Sequence, residues 1–166
     1  QQDLAGVARR LVEEFPGDGI GLSVPLLIDY EYWFRNTRDI QIDDQVRRIA
    51  SDVVIPFAGR IHPFVPFDPV RELAWRHGLP RPDDPAYGPA EHVSSLALVK
   101  DAVLRRGFIG VKLYNALGYR PLGNAAVDDA RRRHFRKIGR PRYCRFSGAE
   151  IDAVLDELYS FCVANQ

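Results

Sequence analysis

"GFIGVKLYNALGYRPLGN", residues 107–124, decides the fold. Ile109 to Leu113 reads as a strand core, yet Lys112 sits inside it, and a loop of Tyr, Asn, Gly and Arg follows at once. A lysine in a buried strand is costly unless it is paired, neutral or chemically modified. Either one side of the strand is open or Lys112 has a task.

Working outward, helical and strand patterns alternate. Leu4, Val7, Ala8, Leu11 and Phe15 repeat at helical spacing after an Asp3 N-cap, and "PGDG" (residues 16–19) stops that helix. "IGLSVPLLIDY" (residues 20–30) reads as a strand. Ile42, Val46, Ile49 and Val53 make a second helical stripe, and "GRIHPFVPFDP" (residues 59–69) a second strand. "PVRELAWRHG" predicts a short helix leading into a Pro- and Asp-rich loop at 79–90. Leu96, Val99, Val103 and Leu104 predict the helix before the Lys112 strand. A long connection then spans 115–147, with a helix near 125–137. Ser147 and Glu150 have capping-box spacing, and Ile151, Val154, Leu155, Leu158 and Cys162 form the apolar stripe of the last helix. There is no internal repeat.

The order α-β-α-β-α-β-(long loop)-α predicts an α/β fold with a parallel sheet and right-handed crossovers. An open doubly wound sheet and part of a (β/α)8 barrel compete. Leu22, Val24, Leu26 and Ile28 oppose Ser23, Pro25, Leu27 and Asp29. Ile61, Val65 and Phe67 oppose His62, Phe64 and Asp68. Ile109, Val111 and Leu113 oppose Gly110, Lys112 and Tyr114. Each strand thus has one apolar face and one mixed face. A sheet covered on both sides is apolar on both faces, whereas a barrel keeps helices outside and points functional residues inward from strand C-termini. The expectation is a portion of a TIM barrel, about strands 2 to 4, forming a single partial domain over 1–166 with a loop insertion at 115–147. Three strands cannot close a barrel.

The chain has 166 residues, 46% hydrophobic and 27% charged, with net charge +1. That balance disfavours a surface devoted to nucleic acid, and no apolar run approaches the roughly 18 residues of a membrane span. "QQDLAGVARR" lacks the apolar core of a signal peptide. Cys144 and Cys162 form no C-x-x-C pair and read as free thiols, which together point to the cytoplasm. Methionine is absent even at position 1, so the expectation is a piece of a longer chain.

Lys112 is the leading functional candidate: by parity it faces the barrel interior, against the simpler reading of an ion pair with Asp29. Asp29, assigned to the same inner face, is either a substrate-side carboxylate or a turn cap. Tyr114, Asn115, Arg120 and Asn124 lie in the loop leaving the strand, where barrel enzymes contact substrate. Arg120 can fork onto a carboxylate that an asparagine orients. Gly and Pro alone also account for that loop. Asp68-Pro69 reads as an N-cap followed by Pro at the first helical position. The four histidines have no H-x-H or H-x-x-x-H spacing, so a self-contained metal site is not expected. "RRRHFRKIGRPRYCR" (residues 131–145) carries eight Lys or Arg and no acid, interleaved with Phe135 and Tyr143. It has the look of a nucleic-acid patch. With Asp128 and Asp129 just before it, a solvated insertion or a lid against a neighbouring subunit of a homo-oligomer is the preferred reading.

"GRIHPFVPFDP" followed by "LVKDAVLRRGFIGVKLYNALGYRPLGN" (residues 98–124) resembles the metal-dependent hydrolases of the amidohydrolase superfamily, particularly the amidohydrolase-related group. The resemblance is best over residues 50–124. It implies a (β/α)8 barrel in which these strands are the second, third and fourth. It also implies one or two divalent metals, usually zinc, held by histidines on other strands and an aspartate on the eighth, with a fourth-strand lysine or glutamate in many members. A metal-activated water would then attack an amide, ester or related bond of a small-molecule substrate. Only the fourth-strand position falls here, on Lys112, as a ligand if carbamylated. The other ligands would lie outside these residues, so this segment alone is expected to hold no metal and to be inactive. The alternative is a non-catalytic α/β module that binds an acidic partner or nucleic acid through 131–145.

Overall fold

Pro25 determines how the first predicted strand is built. In the computed structural model, which describes residues 3–14, 19–30, 41–79, 93–139 and 144–165, Ser23 N–H donates to the Arg60 carbonyl and His62 N–H to that of Ser23 (2.8 and 3.1 Å). Phe64 N–H then donates to the Pro25 carbonyl and Leu27 N–H to that of Phe64 (2.9 and 3.3 Å). The next donor in this ladder falls on Pro25, which has no N–H. The pairing therefore survives as two parallel bridges, Ser23 with Ile61 and Leu26 with Phe64, in place of the continuous strand the sequence predicts.

The second and third predicted strands are β1 (Phe64–Phe67) and β2 (Gly110–Leu113), hydrogen-bonded neighbours in a parallel sheet. Three extended segments thus lie side by side in chain order with β1 in the middle. The helices are α1 (Leu4–Glu14), α2 (Ile42–Ile49, continued by a π-helical turn Ala50–Val54), α3 (Pro69–Arg76), α4 (Ser95–Arg105), α5 (Asp128–Lys137) and α6 (Gly148–Ala164). The fold is a mixed helix and strand arrangement of the α/β kind. The predicted loop at 80–90, Phe15 and His92 lie outside the described residues.

The described residues up to 30, 41–67 and 97–112 form one compact unit, and 68–79, 93–96, 113–139 and 144–165 form another. In the first, α1 and α2 bury one face of the sheet: Ala8, Val53 and Ile61 are its core, with Leu4, Leu11, Val12, Ile49 and Phe57 packed against them. Asp3 caps α1, its carboxylate accepting from Gly6 N–H (2.9 Å). In α4 the predicted Leu96 and Val99 are buried, joined by Leu98 and Ala102, whereas Val103 is only half-buried and Leu104 is exposed.

In the second unit Asp68 caps α3 by accepting from Val70 N–H (2.8 Å), with Pro69 at the first helical position. Ser147 and Glu150 form the predicted capping box. Ile151, Val154, Leu155 and Leu158 are buried, while Cys162 is only half-buried. The predicted insertion at 115–147 is well structured where it is described: 3-10 turns at Asn115–Leu117 and Ala125–Val127 precede α5. Among the described residues no helix is long and apolar enough to cross a membrane.

Gly118 has φ +90°, and a Cβ there would run into the Phe135 ring, itself 2% exposed. Gly118→Ala combines left-handed strain with overpacking and is expected to lower stability by about 2 kcal/mol or more, read from the urea midpoint. An unchanged midpoint would mean that the Phe135 ring moves aside freely.

Candidate functional site

The sheet register assigns faces that alternation alone leaves open. Ser23 pairs with Ile61 and Leu26 with Phe64, so Leu22, Val24 and Leu26 share the face of His62 and Phe64. All three are substantially exposed. The sequence-based reading, which set these leucines and valine on the helix-covered side, is reversed by the pairing. Alternation continued to residue 29 turns Asp29 to the Ile61 face, where it is 3% exposed. The expectation that Asp29 shares the face of Lys112 therefore does not hold.

Lys112 itself keeps its predicted side. A Cβ on Gly110 would lie 2.7 Å from the Phe64 ring, so Gly110 faces the Phe64 side and Lys112, two residues on, faces it too. Glycine is needed at 110 because the aromatic ring occupies the space of a side chain. Lys112 is half-buried. His62, on that face by alternation, bridges turns: its Nε2 accepts from Gly59 N–H (2.9 Å) and its Nδ1 lies 2.8 Å from the Gly107 carbonyl. That is a structural role.

The remaining predicted residues belong to the second unit, in a loop that is built rigidly. Tyr114 N–H donates to the Tyr119 hydroxyl (3.1 Å), and its carbonyl accepts from Leu117 N–H (3.0 Å). Asn124 has no exposed surface. Its Oδ1 accepts from Arg120 N–H (2.7 Å), and its Nδ2 donates to the Arg120 carbonyl (2.8 Å) and to Asp152 (2.7 Å). With both amide hydrogens committed and the side chain enclosed, Asn124 cannot touch a substrate. The proposed substrate contact is corrected to a positioning residue.

Asp152 completes this cage, accepting from the main-chain N–H of Asn124 and of Ala125 (both 2.9 Å). Burial works to raise its carboxyl, but the hydrogen bonds from Ala125, Asn124 and Gly123 prevail and hold it below the usual range. The Tyr159 hydroxyl pins the other side of the loop by donating to the Pro121 carbonyl (2.5 Å). Arg120 and Asn115 are exposed on this pedestal. Their side chains make no hydrogen bond or ion pair with the described residues. A guanidinium fixed at its backbone, its tip without a partner among the described residues, suits an anionic group.

A second buried polar cluster was missed by sequence reasoning. Glu72, 1% exposed, accepts from Ser94 Oγ (2.6 Å), Leu96 N–H (3.0 Å) and Arg76 Nε (2.8 Å). Ser95 Oγ accepts from Asp68 N–H (3.1 Å). Arg76 also forks onto Glu157 (2.7 and 2.8 Å). Ser94-Ser95 ahead of an apolar run is a helix-start signal that would have pointed here, and Glu72 with Arg76 has i, i+4 spacing. The cluster is saturated by its own members and serves as structure. Among the described residues no group of three or more His, Cys, Asp or Glu side chains is placed to hold a metal ion. Lys112 alone is not a metal site.

No family model matches the chain, and neither a curated protein nor a solved structure shows significant similarity to it.

Asn124→Ala leaves Arg120 N–H, the Arg120 carbonyl and part of Asp152 without partners. It should cost about 1–3 kcal/mol in chemical denaturation; no loss would show that the cage does not hold the loop. The depressed Asp152 carboxyl has a defined pH consequence. Its folded-state pKa lies below the unfolded one, so its stabilisation is complete above the unfolded value and is lost as pH falls through the folded value. Below about pH 4 the wild type should lose more stability than Asp152→Asn, a difference read from thermal midpoints at pH 6 and pH 3. Equal losses would contradict the cage.

Proposed function

We propose that this chain is the central part of a (β/α)8 metal-dependent hydrolase acting on an amide, ester or related bond. The observation that supports it best is the face logic of the sheet. Consecutive parallel segments lie in chain order, α1 and α2 cover the Ile61 face, and Lys112 stands on the other. Helices outside and a functional side chain inside is the arrangement a barrel enzyme uses, and it fits the motif resemblance over residues 50–124.

Lys112 is the inner-barrel functional residue in this reading, and it becomes a metal ligand only if carbamylated. Tyr114, Asn115 and Arg120 are the contacts on the loop that follows, Arg120 taking an anionic part of the substrate. Asn124 and Asp152 hold that loop in place. The cofactor is a divalent metal of the zinc type, and its other ligands are supplied by a longer protein.

Elemental analysis of the longest natural protein containing these residues tests the proposal. About one or two zinc-like ions per chain are expected, with a metal-dependent hydrolase activity that Lys112→Ala removes. Stoichiometric metal that Lys112→Ala leaves fully bound would restrict Lys112 to substrate or proton handling. Absence of both metal and hydrolysis would overturn the proposal.

A further inference from the structure

The arginine-rich segment divides into two sets with different work. Arg131, 8% exposed, donates to the Asp128 carboxylate (2.7 Å) and to the Phe146 carbonyl (2.5 Å). Arg132 donates to the other Asp128 oxygen (2.7 Å) and to the Cys144 carbonyl (2.9 Å). These two are internal struts that tie α5 to residues 144–146. They also use up Asp128, one of the two acids that made the segment look self-neutralised. The other, Asp129, is exposed in the first turn and forms no ion pair with the described residues.

Arg133, Arg136 and Lys137 are a different set. All three are exposed, and none makes a hydrogen bond or ion pair with the described residues. At i, i+3 and i+4 they share one face of α5 with roughly 5–6 Å between neighbouring Cβ atoms. Their position in the last turns of the helix matches its dipole, so the cationic face does not strain the fold. Phe135, which interleaves them in sequence, is buried beside Gly118 and offers no ring for a base to stack on.

We infer that the Arg133–Arg136–Lys137 face of α5 binds the phosphate backbone of duplex nucleic acid without reading its sequence. Three cations with no partner among the described residues, set against the single exposed Asp129 one turn earlier on that face, match a line of phosphates. Among the described residues α5 offers no exposed Phe, Tyr or Trp ring, which argues against single strands, since they rely on stacking. An acidic protein would need an apolar anchor at its centre, and among the described residues 128–139 the one exposed large aliphatic is Ile138, beyond the helix end. The near-neutral net charge is no obstacle, because the cations are gathered on one helix.

Anisotropy of a labelled mixed-sequence duplex of about 20 base pairs, titrated with the protein across 50–200 mM salt, tests this directly. The three contacts should contribute about −2.7 to the slope of log K against log salt, or about 40-fold in affinity over that range. Arg133→Gln/Arg136→Gln/Lys137→Gln should remove that contribution while leaving circular dichroism unchanged. Neutral glutamine is chosen because glutamate near a helix C-terminus destabilises it by itself. Each single glutamine variant should remove about one third, so the test survives if the triple variant folds poorly. Lys112→Ala should leave binding untouched, which separates this surface from the proposed hydrolase site. No binding at 50 mM salt, or an unchanged slope in the variants, would overturn the inference. Tighter capture of poly-glutamate than of duplex would also overturn it, in favour of an acidic protein partner.

Discussion

A carboxylate with almost no access to water sets the terms for the second compact unit. Glu72 is enclosed, and an enclosed carboxylate without donors is one of the most costly groups a fold can contain. Its oxygens are met by a hydroxyl, a main-chain N–H and a guanidinium from three places: Ser94, Leu96 and Arg76. The Leu96 bond makes Glu72 a capping residue for α4, supplied from another helix and filling an orphan donor of its first turn. Arg76 carries the same network to Glu157 on α6. Its hydrogen bond to Glu157 outweighs burial and, with that to Glu72, raises its pKa well above the ordinary arginine value. Breaking one partner strands the others, so α3, the start of α4 and α6 are fixed together by polar geometry as much as by the apolar stripe of α6.

The same economy governs the loop after β2. A loop of Gly, Pro, Asn and Arg has little apolar surface to bury, so its shape has to come from directional bonds. Asn124 folds the chain onto itself through both main-chain groups of Arg120, and Asp152 clamps that fold from α6. The outcome is a stiff support carrying exposed Asn115 and Arg120 side chains. Rigid presentation of a polar tip lowers the ordering cost of engaging a ligand.

Local signals were the legible part of this sequence. The Asp3 and Asp68 caps, the Ser147–Glu150 capping box, the α6 stripe and the helix near 125–137 follow from short-range chemistry, and the structure has them. Long-range satisfaction was not legible. Asn124 looks like an exposed loop residue until α6 closes over it, and Glu72 looks like one acid of a surface helix until Ser94 and Leu96 meet it. Asp128 is a local partner of Arg131 and Arg132 at i, i+3 and i, i+4 spacing, but nothing local says that the carbonyls at 144 and 146 will absorb the rest of the two guanidinium groups. In each case the deciding partner lies between 12 and 28 residues away in sequence.

Strand faces illustrate the same boundary in another form. Alternation separates the residues of one strand into two sets, but it does not say which set of a neighbour lies beside each, because a shift of one residue in pairing exchanges the faces. For the Lys112 strand the sequence held a usable clue. Gly110 gives up its side chain to the Phe64 ring, so the even-numbered positions of both strands fall together. For the first strand there was no such clue. Its apolar pattern at Leu22, Val24 and Leu26 argued for the helix-covered side, whereas hydrogen bonding around Pro25 puts Ser23 beside Ile61 instead. Pro25 sits where its missing N–H faces β1, which deletes one rung from the inner ladder. Hydrophobic pattern proposes a face, and the pairing register, here tuned by a single proline, decides it.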